Sequence, residues 1–267
     1  MQANLSEAHL SGAQLARADL RKADLRRARL EGAQLPGADL REAVLAEASF
    51  VGANLRDTQF AGAELRGVQL DGANLEDVYW GPRMRLHYEE EADELARTQG
   101  GVQARATYDK AEEVYRALRR AYDAAGLRDL ADLFHRRAMI MRRKQIPRTS
   151  MARWWSWLVD LSSGYGVIPQ RVIIASLVIV VGNALLFFFA GLENQGNILR
   201  FSLEASLLEN LEEFVLCMYF SMVTFTTIGY GDIRPLGLSR LFGSIEGFLG
   251  VFLAALFVAT FSQKMLR

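Results

Sequence analysis

Between residues 5 and 80 an apolar side chain returns at every fifth position: Leu5, Leu10, Leu15, Leu20, Leu25, Leu30, Leu35, Leu40, Leu45, Phe50, Leu55, Phe60, Leu65, Leu70, Leu75 and Trp80. Two places before each stands a small residue, from Ala3 to Ala73, replaced only by Thr58, Val68 and Val78. A period of five is neither 3.6 nor 2. An α-helix would smear these leucines around its axis, so an amphipathic helix is excluded for this stretch. The pattern predicts sixteen short units that stack by repetition.

Gly81-Pro82 ends the repeat, and from about Arg83 to Ile146 the apolar spacing becomes helical. Tyr108, Ala111, Val114, Tyr115, Leu118, Ala121 and Tyr122 make one stripe; Leu127, Leu130, Ala131, Phe134, Ala138 and Met141 make another. Gly126 separates them and reads as the cap between two antiparallel helices. After Pro147 comes Arg153-Trp154-Trp155-Ser156-Trp157, and Trp154, Trp155 and Trp157 beside arginines suit the headgroup zone of a bilayer. A helix over about 150–161 is expected to lie on the membrane face. Val172 to Gly191 is uncharged for twenty residues, about 30 Å as a helix, and 241–263 forms a second span interrupted only by Glu246. An ionisable group inside a span is a functional candidate, with a protonated or hydrogen-bonded packing group as the other reading. The apolar run 211–226 is too short to cross and reads as a helix that enters and returns, with Asn210 as its N-cap and Glu213 three residues on.

Charge then gives direction. Arg136, Arg137, Arg142, Arg143, Lys144, Arg148, Arg153 and Arg171 precede the first span, and Lys264 and Arg267 follow the second. The segment between carries Glu193, Glu204, Glu209, Glu212 and Glu213 against Arg200. By the positive-inside rule both termini are expected in the cytoplasm of a multi-pass plasma (inner) membrane protein. Of 267 residues 51% are hydrophobic and 23% charged, 31 basic against 31 acidic, and neutrality argues against a general nucleic-acid binder. Cys217 is the single cysteine, which precludes an intrachain disulfide. No cleavable signal peptide is expected at Met1-Gln2-Ala3-Asn4, and no nucleotide or metal motif stands out, so no enzyme activity and no cofactor are expected.

Residues 3–80 resemble the pentapeptide-repeat family, whose Ala-Asp/Asn-Leu pattern recurs at Ala3-Asn4-Leu5, Ala18-Asp19-Leu20 and Ala53-Asn54-Leu55. The resemblance implies a right-handed quadrilateral β-helix of four coils, with glycines such as Gly12, Gly32 and Gly52 at its corners. Some members mimic DNA, which needs an acidic rod; here acids and bases alternate, and Arg17, Arg21, Lys22, Arg26, Arg27 and Arg29 form a basic patch. A docked cytoplasmic partner is one use for that patch.

Thr226-Thr227-Ile228-Gly229-Tyr230-Gly231-Asp232, set between two apolar stretches, resembles the selectivity filter of potassium channels. From Arg171 onward the order span, pore helix, filter, span is similar to the two-transmembrane class. The resemblance implies a filter over Thr227, Ile228, Gly229, Tyr230 and Gly231, with ion sites at the carbonyls of the first four and the Thr227 hydroxyl and with Gly229 and Gly231 letting the strand turn alternate carbonyls inward. It also implies a homotetramer, because one loop per chain must meet three others on an axis. It implies support of the filter by Thr226, Asp232, Tyr219, Phe220 and Val223, with a bond from Tyr219 to Asp232. It aligns Gly250 with the family's hinge glycine and sets Ala255, Val258 and Ser262 along the inner pore. Gly164-Tyr165-Gly166 copies the filter tripeptide but has no Thr-Thr and no preceding pore helix, so it is set aside.

The whole is expected to be a multidomain membrane protein: a repeat domain over 1–82, a helical hairpin connector over 83–147, an interfacial helix and linker over 148–170, and an all-α pore domain over 171–267. Its expected function is passive potassium conduction, with membrane lipid as a partner and the repeat domain as a possible modulator. A weakly selective cation pore, or a repeat domain that only binds partners, are the alternatives. With no further spans, no voltage sensor is expected, and no ligand-gating domain is expected after the second span.

Overall fold

The structure, a computed structural model, describes residues 3–265; Met1, Gln2, Leu266 and Arg267, the last of which entered the orientation argument, lie outside the described residues. It divides into two compact units, one through Trp157 and one from Leu158.

In the first unit the five-residue period becomes a parallel β-helix. Single-residue bridges link positions twenty apart, from Asn4 with Asp24 to Gln59 with Tyr79, all parallel. Each coil therefore takes four repeats. The backbone climbs by bonds such as Leu25 N–H to the Val44 carbonyl (2.8 Å) and Asp24 N–H to the Ala3 carbonyl (2.9 Å). The residue two after each centre is left-handed from Glu7 to Asp77, whether glycine or not, with φ between +53° and +74°. A non-glycine residue there costs about 1 kcal/mol or more, and persists because the coils above and below hold it.

The centres from Leu25 to Trp80 and the alanines beside them are buried. Each such leucine contributes about 1.5–3 kcal/mol by leaving water. Leu5, Leu10 and Leu15 are only half-buried, since no coil lies beneath them among the described residues. Thr58, in place of an alanine, is buried without penalty because its hydroxyl donates to the Leu35 carbonyl at 2.9 Å.

The other end of the rod is closed by helices. After a single 3-10 turn, Pro82–Met84, come α1 (His87–Thr98), α2 (Gly101–Ala124) and α3 (Arg128–Gln145). The expected hairpin is α2–α3, and α1 precedes it as a third helix. Gly126 ends α2 with φ +76°; its own N–H reaches the Asp123 carbonyl and that of Leu127 reaches Tyr122 (2.9 Å). Trp80 stacks on Phe60, one coil away, at 5.0 Å, and its indole donates to Tyr122 Oη at 2.7 Å. Phe134 meets Trp80 edge-on at 6.1 Å. Rod and helices thus share one hydrophobic core.

Two acids pin the helices. Glu89, nearly fully buried, accepts from Tyr115 Oη at 2.5 Å and pairs with Arg137 at 3.2 Å and Arg85 at 3.4 Å. Asp93 pairs with Arg85 at 2.5 Å and Lys144 at 2.6 Å and accepts from Tyr108 at 2.7 Å. Burial alone would raise the Asp93 carboxyl, but the hydrogen bonds from Lys144 and Tyr108 and the nearby cations outweigh it and hold the group below its usual range.

The basic patch expected on the early coils is largely neutralised. Arg21 pairs with Asp19 (2.7 Å), Arg26 with Asp24 (2.5 Å), and Arg27 with Glu47 (2.9 Å) and Lys22 with Glu42 (3.1 Å) one coil up. The repeat supplies both kinds of pair: Asp19 and Asp24 lie two residues before their arginines on the same coil, and residues twenty apart stack, which brings Arg27 over Glu47 and Lys22 over Glu42.

The helix α4 (Met151–Ser163) runs across the boundary between the units. In the second unit α5 (Pro169–Ala190) and α7 (Ser239–Met265) are each long and apolar enough to cross a membrane, and α6 (Leu207–Phe225) lies between them in sequence. All three helices pack on one another. Three short strands, β1 (Leu192–Asn194), β2 (Asn197–Leu199) and β3 (Ile233–Pro235), form an antiparallel sheet in the order β2-β1-β3. β1 and β2 are joined at Gln195-Gly196, both left-handed, as a tight hairpin requires. β1 also pairs with β3, Leu192 opposite Pro235 and Asn194 opposite Ile233, so the end of α5 is tied to the chain that follows Asp232.

Candidate functional site

The site is built on α6. Its N-terminus differs from the expected one: the helix starts at Leu207, and the cap is Ser206, not Asn210. Ser206 and Glu209 form a capping box, the Glu209 carboxylate accepting the Ser206 N–H at 2.7 Å and Ser206 Oγ accepting the Glu209 N–H at 3.3 Å. Asn210 instead ties the approach, accepting from Ser202 N–H at 3.1 Å and donating to the Ser202 carbonyl at 2.9 Å. Glu213 accepts the Arg200 N–H at 2.9 Å. The backbone bond to Ser206 holds the Glu209 carboxyl below its usual range.

At the other end Thr226 caps the helix, and its hydroxyl donates back to the Met222 carbonyl at 2.7 Å. Two further bonds fold the chain back on the helix: Thr227 N–H to the Thr224 carbonyl and Ile228 N–H to the Val223 carbonyl, both 3.0 Å. Beyond them φ alternates. Thr227 (+57°), Gly229 (+59°) and Gly231 (+78°) are left-handed, whereas Ile228 and Tyr230 between them are not. Alternation of this kind gathers successive N–H groups on one side of a strand and leaves the other side to carbonyls. The copy at Gly164-Tyr165-Gly166 has no such alternation: all three residues are left-handed, in a turn between α4 and α5.

Tyr219 donates to Asp232 Oδ2 at 2.9 Å, and its ring lies parallel to that of Tyr230 with centroids 6.5 Å apart. Tyr219, Tyr230 and Asp232 are therefore brought together. Phe220 is turned away from them and meets Phe187 of α5 edge-on at 5.0 Å. Val223 contributes through its backbone. Along 226–232 every residue is exposed in the single chain, Ile228 and Tyr230 among them.

Behind α6 runs α7. Gly250 touches the end of α6 so closely that a Cβ there would overlap the Phe225 carbonyl oxygen and lie 2.8 Å from its carbon. Gly250, assigned as a hinge from sequence, lies within an unbroken helix and has this packing reason to be glycine. Gly247 lies near the Thr224 carbonyl on the same face. Glu246 is fully buried there, bonded to Ser221. Ala255 and Val258 lie on the exposed face, and Ser262 is half-buried. Ser239 at the start of α7 donates to the Gly191 carbonyl at 2.8 Å. On α4, Trp154, Trp155 and Trp157 are all exposed, with Trp154 and Trp157 edge-to-face at 5.7 Å.

Sequence reasoning missed Ser206, Ser221 and Ser239. The Ser-x-x-Glu spacing was a signal for the first; for the others the only signal was a lone hydroxyl in an apolar run.

Residues 195–267 match the family model for an ion channel, and residues 3–41 and 38–77 match that for pentapeptide repeats, in eight copies. The chain thus carries an ion-channel domain and a pentapeptide-repeat domain, and with two helices fit to span it is a membrane protein. No curated protein matches it. Among solved structures, the pentapeptide repeat protein Rfr23 from the cyanobacterium Cyanothece 51142 is 32% identical over 28% of this chain and 58% of its own, with a TM-score of 0.19. The chain therefore spans just over half the length of that relative. The pentapeptide repeat protein alr5209 from Nostoc Pcc 7120 is 29% identical over 32% of this chain and 84% of its own, with a TM-score of 0.18. HetL, a pentapeptide repeat protein of the cyanobacterium Nostoc sp. strain PCC 7120, is 33% identical over 28% and 38%, with a TM-score of 0.12.

Proposed function

We propose that the chain is a potassium-selective channel in which four copies place segment 226–231 around one axis. The observation that carries this reading is the alternating backbone of Thr227, Gly229 and Gly231 at the end of α6. In the tetramer the carbonyls of Thr227, Ile228, Gly229 and Tyr230 replace the water around each potassium ion, and the partly negative C-terminal end of α6 favours a cation. The ion is cargo and passes without covalent chemistry. The exposure of Ile228 and Tyr230 in a single chain supports assembly, because neighbouring copies would cover them.

In this reading Thr226, Asp232, Tyr219, Phe220 and Val223 support the filter from behind, and Gly250, Ala255, Val258 and Ser262 belong to the inner pore. The basic residues before α5 favour cytoplasmic termini in a plasma membrane, with α4 and its tryptophans in the lipid headgroups. Residues 3–80 form a right-handed quadrilateral β-helix in that cytoplasm; one left-handed corner every five residues supports four sides per coil. The rod, with the helices over 83–147, is the part able to carry a regulatory input or a cytoplasmic partner. A recording of purified protein in a planar bilayer under potassium and sodium gradients tests the reading. A reversal potential indifferent to which cation is present would select a weakly selective pore instead.

A further inference from the structure

The side chain of Glu246 is fully enclosed two turns into α7. The other charged residues of the three packed helices sit toward their ends: Arg171 in α5, Glu209, Glu212 and Glu213 in α6, and Arg240 and Lys264 in α7. What faces Glu246 is a hydroxyl. Its Oε1 bonds to Ser221 Oγ on α6, and the same Oγ lies 2.8 Å from the Val180 carbonyl on α5. Its Oε2 is buried and has no hydrogen-bond partner among the described residues. No ion pair is made to it from α5, α6 or α7 within them.

Protons decide what this junction is. A carbonyl only accepts, and a serine hydroxyl has one proton to give. If Ser221 gives it to Val180, the bond between Ser221 and Glu246 needs a proton from Glu246. If Glu246 were ionised, Ser221 could serve only one of its two partners. The carboxylate would then keep a charged oxygen without a donor in an apolar enclosure, the arrangement that burial penalises most. A neutral acid completes the chain: Glu246 donates to Ser221, and Ser221 donates to Val180.

We propose that Glu246 is a positioning residue for conduction: a protonated carboxylic acid that ties α7 through Ser221 to α6 and through Val180 to α5, directly behind the filter segment. Ser221 lies five residues before Thr226, and Gly250, one helical turn beyond Glu246, seats against the Phe225 carbonyl. The two contacts together fix the end of α6 from which the filter departs. This role rests on the reading of 226–231 as a filter; the protonation does not.

Two measurements on the full-length protein in liposomes test it. Infrared spectroscopy at neutral pH is expected to show the carbonyl stretch of a protonated carboxylic acid in the wild type, lost in Glu246→Gln. Absence of any such band that depends on Glu246 overturns the proposal, whether or not the protein conducts. In bilayer recordings, Glu246→Gln, whose amide can donate to Ser221 as the acid does, is expected to keep wild-type inactivation. Ser221→Ala and Glu246→Leu are expected to speed it about tenfold, the worth of one such bond. Raising the pH is expected to speed inactivation of the wild type and leave Glu246→Gln unchanged. If Glu246→Gln inactivates like Glu246→Leu, or if both wild type and Glu246→Gln respond alike to pH, the positioning role is wrong. If Glu246→Leu fails to assemble, the infrared band and the pH comparison still decide. Absence of any potassium current, with the band present, would instead overturn the filter reading and with it the positioning role.

Discussion

At the scale of single residues, the site depends on a few polar contacts and one missing side chain. Tyr219 is held by Asp232 and lies alongside Tyr230, so the residue after the proposed filter and the residue within it share one support. Tyr219→Phe keeps the ring and removes the donor. It is expected to change the inactivation rate roughly tenfold, the scale of a lost hydrogen bond to a carboxylate, with little effect on selectivity; unchanged inactivation in single-channel records would count against the support. Gly250 makes a different kind of demand. Gly250→Ala sets a methyl group on the Phe225 carbonyl, an overpacking of at least 1–3 kcal/mol, roughly. The variant is expected to lose tetramer in size-exclusion chromatography, whereas a hinge role alone predicts normal assembly with altered gating.

At the scale of elements, legibility followed the range of the interactions. The β-helix was readable because each coil repeats the same local rule, and the two spans because twenty apolar residues need no partner to be recognised. The three-stranded sheet was not. Its strands are three residues long, and β1 finds β3 some forty residues downstream, beyond any periodicity. The start of α6 was misplaced because Asn210 and Glu213 carry the same cap chemistry as Ser206 and Glu209; only the course of the preceding chain separates them. The closing of the rod by α2 and α3 was likewise hidden, since Trp80 meets Tyr122 and Phe134 only in the folded chain.

That closing helix layer has a pH dependence of known sign. Asp93 is held below its usual range in the folded state, so its contribution is present above about pH 4, its unfolded value, and is lost as pH falls through the folded value. Hydrogen exchange in α1–α3 is therefore expected to speed up on acidification. Asp93→Asn should flatten that response; an unchanged acid response in the variant would place its origin elsewhere.

At the scale of the whole molecule, the shared core of rod and helices determines how its role can be probed. Removing residues 1–80 strips Phe60 and Trp80 from Tyr115, Tyr122 and Phe134, which are buried in the intact chain. That truncation is expected to aggregate, as seen by light scattering, and so says nothing of gating. Removing residues 1–147 takes the entire shared core away. It is expected to leave an assembled pore with altered open probability if the rod modulates the channel, and an unaltered one if the rod only binds partners.

The central claim is that Thr227 to Gly231 form a potassium filter, and the most direct measurement is the reversal potential of purified full-length protein in a planar bilayer. With potassium as the only graded ion, the account predicts a shift of about 59 mV for each tenfold change in its gradient. Replacing potassium by sodium on one side is predicted to drive the potential strongly toward the potassium equilibrium value. A reversal potential that stays near zero when sodium replaces potassium would contradict it.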